Sequence, residues 1–346
     1  MTEKSVDREY IKEQFRSFAE RVLKPKSIDS GCFGGIHQKY WVECYGKEYM
    51  FKFNDGKDDY SDFGEVFVSY LSYVLGYKCI NAVFSKDFFS LNEALYKKIG
   101  CLEKLYGVLI KSYRTKSVIE TISLKTLEKI YKKRQPQEGF ATWEIAEICK
   151  EYCEDKGLVY SKKIEEELKE MALLDFLFVQ ADRGPHNIEF LIEEKRGKKY
   201  LTLAPMFDNG FCLHLMNSFG QKALVEKLKN KFLHLTDNSI NPKPDLYIQN
   251  PVFNNKFLEK DIVTDLAEEL VKNKSLRKLY ENFKDLNIKN EIEFVLGMYK
   301  RELPQIKKDI ICASIENRVA LIDLALAKIE LKDCYKDLEN ECGFEL

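Results

Sequence analysis

Between residues 7 and 22 apolar side chains recur at helical spacing (Tyr10, Ile11, Phe15, Phe18 and Val22), which predicts an amphipathic helix that Pro25 ends. The period then changes. Tyr40, Val42 and Cys44 alternate with Trp41, Glu43 and Tyr45, a turn follows at Tyr45–Glu48, and Tyr49 to Phe53 reads as a second strand. This is a β-meander entered through a glycine-containing loop, SGCFGG. Helical spacing returns from Ser61 to Leu75, with Phe63, Phe67, Tyr70, Leu71 and Val74 on one side and Gly76 as the stop. Two further strands are predicted at Cys79 to Phe84 and at Tyr106 to Lys111. Residues 1–113 therefore read as a small lobe of strands with an N-terminal helix and one internal helix.

From Ile122 onward the pattern is mostly helical, with helices predicted near 123–133, 141–154, 162–179, 257–273, 289–302 and 305–331. The exception is Ile188 to Phe207, where IEFLIEE, a Lys/Arg/Gly turn between Lys195 and Lys199, and YLTLAPMF form a hairpin. Residues 217–256 are polar, rich in Asn and broken by Pro242, Pro244 and Pro251, which predicts a long loop with a short helix in it. The fold class is thus α+β in two lobes, 1–113 and a larger, mostly helical 114–346, as a chain of 346 residues allows.

Composition narrows the function classes. Apolar residues make up 45% of the chain, enough for a sizeable core, which excludes a disordered protein. With 55 basic against 56 acidic residues there is no charge excess to hold nucleic acid non-specifically, so no direct nucleic-acid binding is expected. The ten Cys contain no C-x-x-C pair, and the Cys149/Cys153 spacing has no partner pair or His nearby, so a zinc site is not expected and reduced thiols are. The N-terminal MTEKSVDREYIKEQF has no apolar core of the secretory kind, and runs such as VALIDLALA from Val319 are too short to cross a bilayer. The expectation is a cytoplasmic protein without a membrane span, or one exported by a leaderless route.

Two short motifs carry the chemistry: ADRGPHN (181–187) and APMFDNG (204–210) sit at the two ends of the predicted hairpin. A nucleotide phosphotransferase needs a loop that approaches phosphates closely, a fixed Lys with an acidic partner, oxygen ligands for Mg2+, and a carboxylate facing the acceptor hydroxyl. The chain presents a candidate for each, in that order. Gly31, Gly34 and Gly35 precede the first meander strand; Lys52 lies in the apolar strand YMFKFN; Glu65 opens the next helix; Asp182, Asn187 and Asp208 flank the hairpin. Singly each has an ordinary explanation: glycines in a turn, a Lys on an edge strand, a Glu on a helix dipole, and Asp and Asn in turns. Together they match one site, because a hairpin brings its ends together and so sets Asn187 beside Asp208, an oxygen pair suited to Mg2+, with Asp182 placed to take a proton.

The helix, loop and hairpin LLDFLFVQADRGPHNIEFLI followed by LTLAPMFDNG resemble the catalytic core of the HipA-like serine/threonine protein kinases, in particular the short CtkA-like members that lack the extra N-terminal subdomain. The family pattern is an Asp, an Asn five residues later, and a strand ending in Leu-x-Pro, an apolar residue, an aromatic residue and Asp, matched by Asp182, Asn187 and Leu203 to Asp208. FGEVFVSYLSYVLGY matches the family helix, with Glu65 in the ion-pair position, and the likeness spans about residues 27–215. It implies transfer of the ATP γ-phosphate to a Ser or Thr of a protein substrate, with autophosphorylation included. Lys52 would hold the phosphates, Asp182 would be the catalytic Asp, and Asn187 and Asp208 would bind Mg2+. In YGVLIKSY, Leu109, Ile110 and Lys111 would face the adenine. The chain departs from the pattern in places. Gln180 stands where ordinary protein kinases have the His of His-Arg-Asp. Many relatives have Asp-Arg-His where this chain has Asp182-Arg183-Gly184, its His coming at 186, and Phe207-Asp208-Asn209-Gly210 replaces Asp-Phe-Gly. Asp-Arg-Gly with Asp-Asn-Gly is also similar to type II phosphoinositide kinases, an alternative lipid-kinase reading, although the Cys-rich membrane insert of such enzymes is missing. HipA-like proteins often pair with a small DNA-binding antitoxin, which adds a third reading: a non-catalytic ATP-binding or antitoxin-partner module.

Overall fold

The computed structural model describes residues 8–19, 25–29, 39–53, 59–84, 107–113, 115–131, 142–180, 183–210, 212, 213, 215, 259–299 and 301–342. Gly31, Gly34, Gly35, Asp182 and the stretch 217–256 lie outside them.

The first half is built on a five-stranded antiparallel sheet of order β1-β2-β3-β5-β4. Its strands are β1 (Pro25–Asp29), β2 (Lys39–Cys44), β3 (Lys47–Phe53), β4 (Ala82–Phe84) and β5 (Gly107–Lys111). The β2–β3 turn is made by Tyr45 (φ 52°) and Gly46 (φ 71°), two positive φ values in succession that match the twist of the strands they join. Sequence periodicity missed β1, because the helix-ending Pro25 is also its first residue. The strand predicted at Cys79–Phe84 is regular only from Ala82. β3 lies in the middle of the sheet, with Lys39 of β2 opposite Lys52 on one side and Val108 of β5 on the other, so Lys52 is not on an edge.

Helix α1 (Arg8–Ala19) and helix α2 (Ser61–Val74) pack on this sheet. Every residue of α2 except Tyr73 is buried, which corrects the one-sided stripe expected from its spacing. A helix buried on all sides needs cover on all sides. The Ser69 hydroxyl joins it to β4 by donating to Ile80 O and accepting from Ala82 N. Phe15 of α1 meets Tyr70 edge-on at 5.2 Å, and Phe294, from a C-terminal helix, meets the same ring at 4.8 Å.

The second half contains more than the predicted hairpin. A second sheet has the order β6-β8-β9-β7, with β6 (Val118–Ser123), β7 (Val159–Tyr160), β8 (Glu189–Lys195) and β9 (Lys198–Leu203). β8 and β9 are the expected hairpin, turned by Arg196 and Gly197. β6 was missed because VIETIS exposes Ile119 and does not alternate; β7 is only two residues long. Around this sheet stand α3 (Leu124–Tyr131), α4 (Thr142–Lys156), α5 (Lys163–Leu177), α6 (Glu259–Lys272), α7 (Lys274–Lys284), α8 (Ile288–Leu296) and α9 (Gln305–Cys342). α7 was not expected. Asn273 ends α6 and caps α7, its side chain accepting from the Ser275 and Leu276 N–H groups. α8 stops at Gly297, short of the predicted 302, and α9 runs past the predicted 331. The two sheets are joined where Cys79 bridges Met206, with Ile80 N donating to Met206 O and Met206 N to Lys78 O.

Candidate active site

A lysine in the middle of a sheet must find compensation for its lost hydration. Lys52 is 3% exposed, and its Nζ donates to Glu65 Oε1 at 2.8 Å and to Asp208 Oδ1 at 2.7 Å. Glu65, the fifth residue of α2, is itself buried, and its second oxygen accepts the Asn209 N–H at 2.8 Å. The expected Lys52–Glu65 pair is therefore present, and it extends to the turn after β9. Lys39 adds a second cation, 3.7 Å from Asp208 Oδ2. Burial works to raise the Asp208 carboxyl, yet Lys52 and Lys39 hold it well below the usual carboxylate range. Burial likewise opposes the Lys52 charge, yet Glu65 and Asp208 hold the ammonium above the ordinary lysine value. Both groups stay ionised at neutral pH. Gly210 makes room for this cluster: a Cβ there would come within 3.1 Å of Lys52 Nζ.

The other half of the site begins where α5 ends. Gln180 N donates to Asp175 O at 2.8 Å, closing the helix in the manner usually built on glycine. Here the left-handed position is taken by Val179 (φ 50°), at a backbone cost of about 1–2 kcal/mol. Gln180 then reaches back, its Nε2 donating to Asp208 O at 3.1 Å. Past it, Pro185–Asn187 form a 3-10 turn, with Asn187 buried at its end beside β8.

Arg183 is completely buried and ties these parts together. Its Nε and Nη2 donate to the two oxygens of Asp175 at 2.9 and 3.0 Å. Nη2 also donates to Asn209 Oδ1 at 2.8 Å, and Nη1 donates to both Asn187 O, at 3.4 Å, and Phe207 O. The two ends of the hairpin thus lie within reach of a single guanidinium nitrogen, as the hairpin predicted. Burial pushes the Asp175 carboxyl up in spite of its partner, while Asp175 holds Arg183 above its ordinary value against burial.

Leu109, Ile110 and Lys111 lie on β5, opposite Phe51, Met50 and Tyr49 of β3; the first two are buried and Lys111 is half-buried. Sequence reasoning missed Lys39, Asp175, Arg183 and Asn209 as parts of the site. Only Asp175 carried a clear signal, an acidic residue inside the apolar helix run MALLDFLF. Among the described residues no group of three or more His, Cys, Asp or Glu stands ready for a metal. Asn187 and Asp208 would bring two hard oxygen donors, which fits a cation that takes its other ligands from phosphate and water.

No protein-family model and no curated protein sequence matches the chain. Solved structures do. The Helicobacter pylori proinflammatory kinase CtkA matches with a TM-score of 0.58 at 19% identity, over 88% of this chain and 96% of that one. The HipA–HipB–operator DNA complex of Shewanella oneidensis MR-1 matches at 0.49 and 13% identity (92% and 71% covered), and hydra Fam20 with sugar at 0.47 and 16% (98% and 92%). The likeness to CtkA establishes a kinase-like α+β fold.

Proposed function

We propose that this chain is an ATP-dependent phosphotransferase that moves the γ-phosphate to a Ser or Thr hydroxyl of a protein. The observation that carries this reading is Lys52, buried in a central strand and bonded at once to Glu65 and Asp208. A structural salt bridge needs two partners; this cluster joins Lys52 and Lys39 to Glu65 and Asp208, an arrangement that suits a site receiving polyphosphate and its cation. The Helicobacter pylori kinase CtkA has a similar fold, which adds support.

In this reading Lys52, oriented by Glu65, releases Asp208 and takes phosphate oxygens, with Lys39 as a second cation beside it. Leu109, Ile110 and Lys111 border the adenine, and Gly31, Gly34 and Gly35 let the backbone approach the phosphates. Asn187 and Asp208 would hold Mg2+, which when bound neutralises charge on the transferring phosphoryl group. Asp208 is held ionised by two lysines and is a poor proton acceptor. The proton of the acceptor hydroxyl is therefore assigned to another carboxylate, Asp182, the residue before Arg183.

Incubation with radiolabelled ATP and Mg2+ tests the reading. Acid-stable label on Ser or Thr of the chain or of an added protein is expected, falling by about 100-fold or more in Asp208→Ala, Lys52→Ala and Asp182→Ala. Label in phosphoinositide vesicles alone would replace it with the lipid-kinase reading, and tight ATP binding without transfer would leave a binding module.

A further inference from the structure

We infer that the buried Asp175–Arg183 pair is the positioning element of the metal end of the site: it sets Asn187 and Asp208 at their working separation without touching nucleotide or metal. The inference rests on the phosphotransferase reading and goes beyond it in naming what holds the two ligands. Three observations carry it. First, the guanidinium uses all five of its N–H donors, and they reach α5, the end of the 3-10 turn and the turn after β9. Second, its contacts bracket the ligands: the carbonyl of Asn187 itself, and the residues on both sides of Asp208, Phe207 and Asn209. Asp208, which has a positive φ (56°) and would otherwise relax, is thereby held between two anchored neighbours. Third, a fully buried ion pair is commonly no better for stability than apolar residues of similar volume, so packing alone does not call for one at this place. Five acceptor contacts take the five donors of a planar guanidinium; an ammonium has three.

Three variants separate positioning from packing: Arg183→Lys, Asp175→Asn, and the double replacement Asp175→Leu with Arg183→Met, which removes both charges and keeps the volume filled. Folding is checked by circular dichroism and thermal melting. Binding of Mn2+ in the presence of a non-hydrolysable ATP analogue is followed by electron paramagnetic resonance, and binding of the metal-free analogue separately. Each variant is expected to bind Mn2+ at least tenfold more weakly than the wild type while metal-free analogue binding stays within twofold. The double variant should regain a wild-type melting temperature and still not regain metal binding. Where label transfer is measurable, kcat falls and KM for ATP holds. Mn2+ affinity within twofold of wild type in any folded variant overturns the inference alone. A wild-type chain that binds no Mn2+ with the analogue overturns the phosphotransferase reading, and the inference with it.

Discussion

Asp208 has two lysines on its carboxylate and a left-handed backbone beneath it. Its folded-state pKa lies below the usual value, against the pull of burial. Between the folded value and the unfolded one, near about 4, the unfolded chain binds more protons, so stability rises with pH there. The contribution is complete at about pH 7 and is lost as pH falls through the folded value. Lys52 is the mirror case: its raised pKa gives a contribution present below the ordinary lysine range and lost as pH rises through the folded value. Asp208→Asn should therefore be less stable than wild type at neutral pH, with the gap closing as the solution is acidified. Urea unfolding at about pH 7, 5 and 3 measures it, and a gap that widens towards acid would be the wrong sign. At this scale the sequence was informative for Lys52 and Glu65, because a charge within an apolar strand has to be explained. It was mute on Lys39 and Asn209, whose roles come from strand register and from a backbone N–H.

At the scale of elements, close approach decides what the site can be. β5 runs so near β3 that a Cβ on Gly107 would stand 2.4 Å from Lys52 O and 2.9 Å from the Phe51 ring. Gly107→Ala must push β5 off the strand that carries Lys52, at about 1–3 kcal/mol, and should weaken binding of an ATP analogue. Gly76→Ala is the control. There the cost is a positive φ (74°) with nothing within 4 Å, about 1–2 kcal/mol, and analogue binding should not change. Thermal melts paired with binding isotherms distinguish the two. The elements that periodicity revealed were those with one covered face: α1, β2, β3 and the hairpin. Those it blurred obey other constraints. α2 is covered all round, β6 is too exposed to alternate, and α6 and α7 share one Asn as end and beginning. The hairpin makes the closeness of its two ends legible, seen where the Asn187 and Phe207 carbonyls share one Arg183 nitrogen, but Arg183 itself reads in sequence as an ordinary loop residue.

At the scale of the molecule, α2 belongs to both halves. Tyr299 donates to Asp62 at 2.9 Å, Tyr70 donates to Glu291, and Lys12 of α1 lies 3.3 Å from the same Glu291. The helix that carries Glu65 is thus gripped from the N-terminal helix on one side and from α8 and the segment after it on the other. Calorimetry should show one transition whose van't Hoff and calorimetric enthalpies agree; two separate transitions would contradict this grip. The Cys79–Met206 bridge carries the same consequence for dissection of the chain. A chain split after residue 113 would yield a front piece whose central helix has lost its covering and a back piece whose Asp208 has lost Lys52. Neither fragment would keep both the covered helix and the Lys52–Asp208 contact, so a single cut there is expected to unfold the whole molecule.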